Sequence, residues 1–478
     1  MAETITKENR GKQALKSGVW YTISSISVKA ILIITTPLFT RLMTTSEYGV
    51  SSTFTTWFTV LNVICSLNLW YSVGRAKLDF PGKLEEYVAS AQLLALIFCS
   101  ILSGGAILLL DRVTNWLEMD KALVIALIVY LLAYPSVQLT QSKFKYQYNY
   151  KGNIWITIYT TVATTVLSLM FVLLIPSHRA LGKALGAVVS SVLFAVGVWS
   201  LSLKRGYVKI NVEYWKYGLI ISVPLILNSI SLNILAQSDR VFITKFCGSN
   251  FTGIYSLAYS YAILINIVLN AVNEAWLPWF HDSLNDKLYD AIRKNVKPLI
   301  IFGCWFGVGC IAIAPEAIAL LGGSAYREGI WVVPPVTIGV VCSYIFQHYE
   351  NIELHLKKTW YISFGTVVAA GINIVLNYVF VQLYGFVAAA YTTLFCYFVL
   401  MILHHFISRY VLKLHLYDDK FMYLAVLVTG ILGVMFMTLY DKFWIWRWIL
   451  ISVISLVYLW VNRKLFKSVI SKFMSRKR

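Results

Sequence analysis

Apolar stretches of about 20 residues recur from one end of this chain to the other, and each can cross roughly 30 Å of hydrocarbon as a helix. No other feature constrains the fold as strongly. Of the 478 residues, 58% are hydrophobic and only 13% are charged, against about 25% charged in soluble globular domains. A water-soluble globule is excluded on these grounds. A transmembrane barrel would need alternating strands of about 10 residues, and that period is absent. The sequence predicts an all-α polytopic membrane protein with about fourteen transmembrane helices, centred near Leu32, Leu61, Ile97, Val129, Thr164, Val192, Ile226, Ile265, Phe306, Val340, Ala370, Phe395, Ala425 and Ile454.

Charge predicts the orientation. With the N-terminus inside, thirty of the 41 Lys and Arg residues fall on inner segments and about ten on outer ones. This is the bias of the positive-inside rule, and it puts both termini in the cytoplasm. The net charge of +19 then needs no nucleic acid, and the tail RKLFKSVISKFMSRKR fits contact with anionic lipid head groups. The opening stretch, MAETITKENRGKQALKSG, lacks the apolar core and cleavage site of a signal peptide. The seven cysteines fall mostly in apolar runs without a CxxC pair, so neither a disulfide framework nor a zinc site is expected. Loops are short, and no outer segment is long enough to fold as a catalytic domain. The inner stretch HDSLNDKLYDAIRKNVK reads as a short amphipathic helix on the membrane surface.

Two segments resemble each other. TRLMTTSEYGVSSTFTTWF closes span one, and DRVFITKFCGSNFTGIYSLAY closes span seven. Each carries an Arg (Arg41, Arg240), a polar turn, and then Gly with a nearby Tyr (Tyr48 and Gly49; Gly253 and Tyr255). The implied organisation is two six-helix bundles related by a repeat, residues 1–210 and 211–415. Two extra spans and a basic tail follow, 416–478. Two related bundles around a midplane site are a common transporter plan.

Polar residues inside the spans fall at helical spacing. Ser229, Asn233, Gln237 and Arg240 share one face of span seven; Tyr255, Tyr259, Asn266, Asn270 and Glu274 share one face of span eight; Ser25, Lys29, Thr36 and Thr40 share one face of span one. Ionisable groups in hydrocarbon are costly and usually face a cavity or a partner. Lys29 lies ~16 Å past the inner helix end at 1.5 Å per residue, where it needs an anion, a carboxylate or water. Asp239 and Arg240 sit nearer the outer boundary, either as an ion pair holding the helix turn or as substrate contacts. Mixed amides and aromatics suit sugars, because amides satisfy hydroxyls and rings cover the apolar sugar face. Asn373 and Asn377 read as hydrogen-bonding glue between helices. Arg75, Lys77 and Asp79 read as ordinary inner-face charge, and Asp418 and Asp419 as solvated charge. Pro37, Pro224 and Pro278 interrupt or border spans one, seven and eight, where kinks would serve rocking.

The motifs TPLFTRLMTTSEYGVSSTF and AQSDRVFITKFCGSNFTGIYSLAYSY, with fourteen spans, resemble the polysaccharide (O-antigen, Wzx-type) flippases of the multidrug/oligosaccharidyl-lipid/polysaccharide exporter superfamily. The resemblance implies two bundles around a central cavity, working by alternating access in the bacterial inner membrane. It implies an undecaprenyl-diphosphate-linked oligosaccharide of O-antigen, capsule or exopolysaccharide as cargo, held at its diphosphate by cations, for which Lys29, Arg41 and Arg240 are the candidates. A glycan polymerase and a chain-length regulator are the implied partners, and no cofactor is implied. An ion-coupled drug or cation antiporter of the same fold is the alternative, with Asp239 and Glu274 as its acids and Glu316 a weaker one. A membrane polymerase or ligase is disfavoured for want of an outer catalytic loop. His404 and His405 are adjacent, so they face different sides of a helix and do not form a metal pair. No GxxxxGK[ST] loop is present, so direct ATP hydrolysis is not expected.

Overall fold

The structure is a computed structural model and describes residue 31 and residues 34–441 and 443–463. The expectations for Ser25, Lys29 and the basic tail beyond Arg463 lie outside these residues, as does the centre at Leu32. Every regular element among the described residues is helical. The chain divides into two compact units, Met1–Ser256 and Leu257–Arg478.

The first unit contains α1 (34–42), α2 (Thr45–Cys65), α3 (Val73–Asp79), α4 (Leu84–Leu108), α5 (Leu110–Leu117), α6 (Lys121–Tyr146), α7 (Tyr150–Leu174), α8 (Arg179–Lys204), α9 (Val212–Cys247) and the start of α10 (Ser249–Ala262). The second contains the rest of α10, then α11 (Ile265–Asn285), α12 (Tyr289–Ala312), α13 (Ala314–Gly322), α14 (Val333–His355), α15 (Thr359–Tyr384), α16 (Ala388–Phe406), α17 (Asp419–Thr438) and α18 (Trp444–Val461).

Eleven of the described helices or helix runs are long and apolar enough to cross a membrane. A twelfth span results if the 3-10 segment Ser324–Trp331 and α14, bent by 48°, are counted together. The remaining two expected spans are α1, only partly described, and α2, whose Ser and Thr content dilutes its hydropathy. Apart from Leu32, each expected centre falls within a helix.

The two units repeat the same element pattern. In the first, α4 runs directly into the short α5; in the second, α12 runs directly into the short α13. The hairpin α7–α8 packs on α6 as the hairpin α15–α16 packs on α14. Division by packing places α9 in the first unit, where it lies against α2 and α4. The three-part division read from the sequence is a division by repeat, and it stands as a proposal. The α7–α8 pair is close because α8 carries glycine at the crossing: a Cβ on Gly186 would stand 2.1 Å from the Ser168 hydroxyl. Small residues of this kind let backbones approach where hydrophobic driving force between helices is weak.

One expected element is absent. HDSLNDKLYDAIRKNVK does not form a separate surface helix: it is the end of α11 and the start of α12, divided by a turn at which Lys287 has φ 59°. The left-handed residue reverses the chain between two spanning helices that both extend past their apolar segments.

Candidate functional site

Span two is interrupted. After α2 ends at Cys65, Leu67 and Asn68 both adopt left-handed conformations, φ 52° and 53°, before a 3-10 turn at Leu69–Tyr71 and then α3. Asn tolerates this region through local hydrogen bonding. Leucine does not, and such a residue costs of order 1–3 kcal/mol unless its surroundings hold it. The Asn68 side chain supplies that hold by donating to the Ser229 hydroxyl of α9 at 2.9 Å and to the Leu225 carbonyl at 3.4 Å. On the other side the Ser142 hydroxyl of α6 donates to the Trp70 carbonyl at 2.9 Å. Non-helical backbone at membrane depth is tolerated where it is buried in protein or lines a cavity.

A cavity of about 310 Å³ opens beside this break. Its walls come from α2, the 3-10 turn, α6 and α9, and its polar lining includes Asn62, Asn68, Gln138, Ser229 and Asn233. Asn62 donates to Gln138 Oε1 at 3.1 Å, while its own Oδ1 is buried and accepts nothing from the described residues. A buried, unsatisfied carbonyl of this type costs about 1–3 kcal/mol. The aromatic share is equally ordered. Trp70 and Tyr71 stack with centroids 3.7 Å apart, and Phe58, backed by Tyr130 at 3.7 Å, meets Tyr134 edge to face at 5.0 Å. No Asp, Glu, Lys, Arg or His is among the described residues that line the space.

Cations gather elsewhere in the same unit, around the turn between α1 and α2. A capping box starts α2, with the backbone N–H of Thr44 donating to Glu47 at 2.8 Å and that of Glu47 to the Thr44 hydroxyl at 3.2 Å. Lys183 of α8 places its ammonium 4.2 Å from the ring centre of Tyr48 and 4.9 Å from that of Phe39. Among the described residues it makes no carboxylate ion pair, so the two ring faces are its observed partners. Arg179 donates to the Leu42 carbonyl at 2.6 Å. Sequence spacing did not single out Lys183, because four residues into a helix it reads as an ordinary end charge.

The sequence-predicted residues divide among different settings. Asn233 and its stripe partner Ser229 reach the cavity; Gln237 is half-buried and does not line it. Asp239 is fully buried and accepts from the Tyr255 hydroxyl. Arg240, also buried, donates to the Ala236 carbonyl at 3.2 Å and lies 5.9 Å over the Tyr255 ring. Arg41 is exposed on α1. Lys29, expected near the midplane from the sequence, lies outside the described residues. The span-eight stripe does not stay on one face. Tyr255 and Tyr259 are buried in α10, Asn266 is half-buried, and Asn270 and Glu274 are exposed on α11. The cause is a break at Ile263–Leu264, where the N–H groups of Leu264, Asn266 and Ile267 each bond three residues back, which tightens the turn and shifts the register. The residues of the repeated motif do meet: a Cβ on Gly49 would stand 1.8 Å from the Ser249 carbonyl oxygen, and one on Gly253 2.0 Å from that of Thr45.

In the second unit, polar groups close on each other. Asn377 donates to Asn373 at 3.0 Å and Asn373 to Thr393 at 3.3 Å, joining α15 to α16 as expected of helix glue. Asp418 and Asp419 are not merely solvated. Asp418 caps α17 and binds Lys297 at 2.7 Å, while Asp419 accepts from Tyr349 at 3.0 Å and from Arg409. The Lys297 ammonium and the Phe421 N–H hold the Asp418 carboxyl below its usual range. Glu316 pairs with the buried Arg447, and Arg75 with Asp79 at 3.1 Å.

Known proteins of the same architecture exist. The structure superposes on the lipid II flippase MurJ in an inward closed conformation with a TM-score of 0.70 and 14% identity, covering 95% of this chain and 100% of that one. On an inward-facing multidrug resistance transporter of the MATE family, the TM-score is 0.58 with 12% identity, over 88% and 99% of the two chains. At such identity the likeness speaks for the fold. In sequence, a protein of the Lsg locus of Haemophilus influenzae is 32% identical over 71 residues, 15% of this chain and 18% of that protein. An uncharacterized membrane protein of Methanocaldococcus jannaschii is 25% identical over 198 residues, 40% and 44% of the two. The chain thus matches less than half the length of either relative. A profile described as polysaccharide biosynthesis protein matches residues 14–284. Since that match covers more than half of its length, the chain belongs to the polysaccharide biosynthesis protein family, among the polysaccharide flippases of the multidrug/oligosaccharidyl-lipid/polysaccharide exporter superfamily.

Proposed function

We propose that this protein moves an undecaprenyl-diphosphate-linked oligosaccharide, an O-antigen, capsule or exopolysaccharide repeat unit, from the inner to the outer leaflet of the bacterial plasma membrane by alternating access. One observation carries the reading: among the described residues, the cavity at the interrupted second span is lined by amides, hydroxyls and aromatic rings and by no Asp, Glu, Lys, Arg or His. A sugar ring needs such a wall. Its hydroxyls replace water's hydrogen bonds with those of Asn62, Gln138 and Asn233, and its C–H face covers Trp70 or Tyr71. At about 310 Å³ the space is at the small end of ligand sites, which run from about 300 to 1,000 Å³, so it suits a short stretch of glycan.

The diphosphate is assigned to cations, none of which lines this cavity among the described residues. Lys183 and Arg240 are the described candidates, with Lys29 and Arg41 carried over from the sequence resemblance. The lipid tail stays in the bilayer. The chain works as a transporter without bond-making chemistry of its own, its two termini on the cytoplasmic face, beside a glycan polymerase and a chain-length regulator. The MATE-like fold supports a second reading, drug or cation antiport. That reading needs an acid in the cavity wall. Asp239 instead accepts from Tyr255, and Glu274 lies exposed on α11.

Reconstitution separates the two. Proteoliposomes given a fluorescent undecaprenyl-diphosphate-oligosaccharide are expected to move it across the bilayer and to leave a cationic dye untransported. Dye uptake without glycan movement would overturn the flippase reading.

A further inference from the structure

The second unit contains a set of ionisable side chains that sugar transport does not use. Glu353 of α14 is fully buried, and one of its carboxylate oxygens lies 2.7 Å from Nδ1 of His404 on α16, itself fully buried. The other nitrogen of the same imidazole, Nε2, stands 3.9 Å from the carboxylate of Glu350, whose side chain is 20% exposed. Two polar atoms in this row have no hydrogen-bond partner among the described residues: Glu353 Oε2 and His404 Nε2. The ring of His404 stacks on Phe346 at 5.6 Å, and a Cβ on Gly365 of α15 would stand 3.2 Å from Nε2. The row is therefore enclosed by apolar and backbone groups.

The neighbouring charges are engaged elsewhere. From α16 and its π-helical extension Ile407–Val411, His405 and Arg409 turn to Asp419 of α17. From α12, Lys297 binds Asp418 and Arg293 donates to the His415 carbonyl. From α11, His281 meets His355, and from the 3-10 segment before α14, Arg327 binds Asp441. Within α14, His348 bonds the Tyr344 carbonyl. The α15 sequence holds no Asp, Glu, Lys, Arg or His. No Lys or Arg among the described residues pairs with either glutamate.

The charge count follows. With neutral imidazole and both acids ionised, the row carries two negative charges in a water-poor interior, which is prohibitively costly. One proton leaves a net charge of −1; a second brings it to zero. We propose that Glu350, His404 and Glu353 form a proton-binding site inside the second unit, cycling between one and two bound protons. Glu350 is the entrance, being the one member that is not fully buried. The imidazole relays by accepting at one nitrogen and releasing from the other, and Glu353 is the terminal acceptor. Loading takes one proton from the surrounding water and forms one O–H bond at Glu353; nothing else is made or broken. A hard metal cation is a poorer occupant, since it takes six or more oxygen ligands and only two carboxylates face the imidazole. The proposal is independent of what the first unit carries.

Infrared difference spectroscopy on the full chain in nanodiscs tests it directly. On acidification, the wild type is expected to gain a protonated-carboxyl C=O band that is missing from Glu353→Gln and unaffected by replacing choline chloride with sodium chloride. Glu350→Gln removes the entrance, so the band should still form but rise several-fold more slowly after a rapid drop in pH. An unchanged band in Glu353→Gln, or its removal by sodium at fixed pH, would overturn the proposal. Should Glu353→Gln fail to fold, an unslowed rise of the band in Glu350→Gln would do the same.

Discussion

The two units share an order of helices but divide the chemistry between them. In the first, the second span breaks, and amides at the break face an open space with one acceptor, Asn62 Oδ1, left unmatched. In the second, amides and hydroxyls close on each other, as in Asn377, Asn373 and Thr393, and its ionisable groups pair as Glu353 with His404 or Glu316 with Arg447. The first unit thus sets uncharged amides around an open space, whereas the second sets amides against each other beside buried ionisable groups that are only partly matched, with Glu353 Oε2 and His404 Nε2 left over. The lesson concerns polar residues in membrane helices: residue type does not separate glue from binding site, whereas a place on the wall of an open space does.

The contrast can be broken most forcefully where the repeated motif closes. Gly49→Val would put side-chain atoms inside contact distance of the Ser249 carbonyl, and backbone cannot yield as a flexible side chain does. The cost is expected at the upper end of the roughly 1–3 kcal/mol of overpacking, or above it, with loss of glycan export. Thermal unfolding in detergent and surface glycan staining measure the two effects, and normal values of both would contradict the close crossing.

A paired comparison sharpens the difference. Asn377→Leu deprives buried Asn373 and Thr392 of a hydrogen bond each, so it should cost about 1–3 kcal/mol of stability and leave glycan specificity unchanged. Asn62→Leu in the cavity wall should cost little stability yet depress transport about tenfold, the equivalent of one hydrogen bond of ~1.4 kcal/mol. Melting temperatures and initial transport rates read the two, and the reverse pattern would erase the distinction.

The smallest expected effect is electrostatic. Lys297 and the Phe421 N–H hold the Asp418 carboxyl below its usual range, so its contribution is fully present above the unfolded value and fades as pH falls through the folded one. The pair is more than a third exposed, and screening leaves no more than about 1 kcal/mol. Asp418→Asn should melt below wild type at neutral pH and converge with it under acid. A gap that persists or widens in acid would mean that the carboxylate charge is not what stabilises α17.

The spans were legible because hydropathy at a length of about 20 residues needs no tertiary information. The interrupted second span was not. SLNLW contains neither Gly nor Pro, and Leu67 is held left-handed by contacts that Asn68 makes with α9, 161 positions away at Ser229. The same locality explains the span-eight stripe. A 3.6-residue period assumes an unbroken helix, and the three-residue hydrogen bonds around Ile263–Leu264 reset it. Asn233 was found because its stripe runs along α9, which has no such break. Glu353 was passed over because, in the last turn of α14, it looks like any other charge near an inner loop. Its burial depends on α16, and only packing reveals that. The short outer stretch DRVTNWLEMDK is mostly the helix α5 and its end, where Thr114 and Leu117 turn inward.

The central claim is that uncharged polar groups in the first unit hold the sugar portion of the cargo. The most direct measurement compares two lipid-linked oligosaccharides in proteoliposomes, one wholly neutral and one bearing a uronic acid at the residue next to the diphosphate. A cavity lined, among the described residues, by no cation does not repay the desolvation of a carboxylate. The account therefore predicts that the neutral glycan crosses, that the acidic one lags by an order of magnitude or more, and that Asn62→Leu with Asn233→Leu removes the difference by slowing the neutral one. Equal rates for both glycans, or a double variant that transports like the wild type, would contradict it.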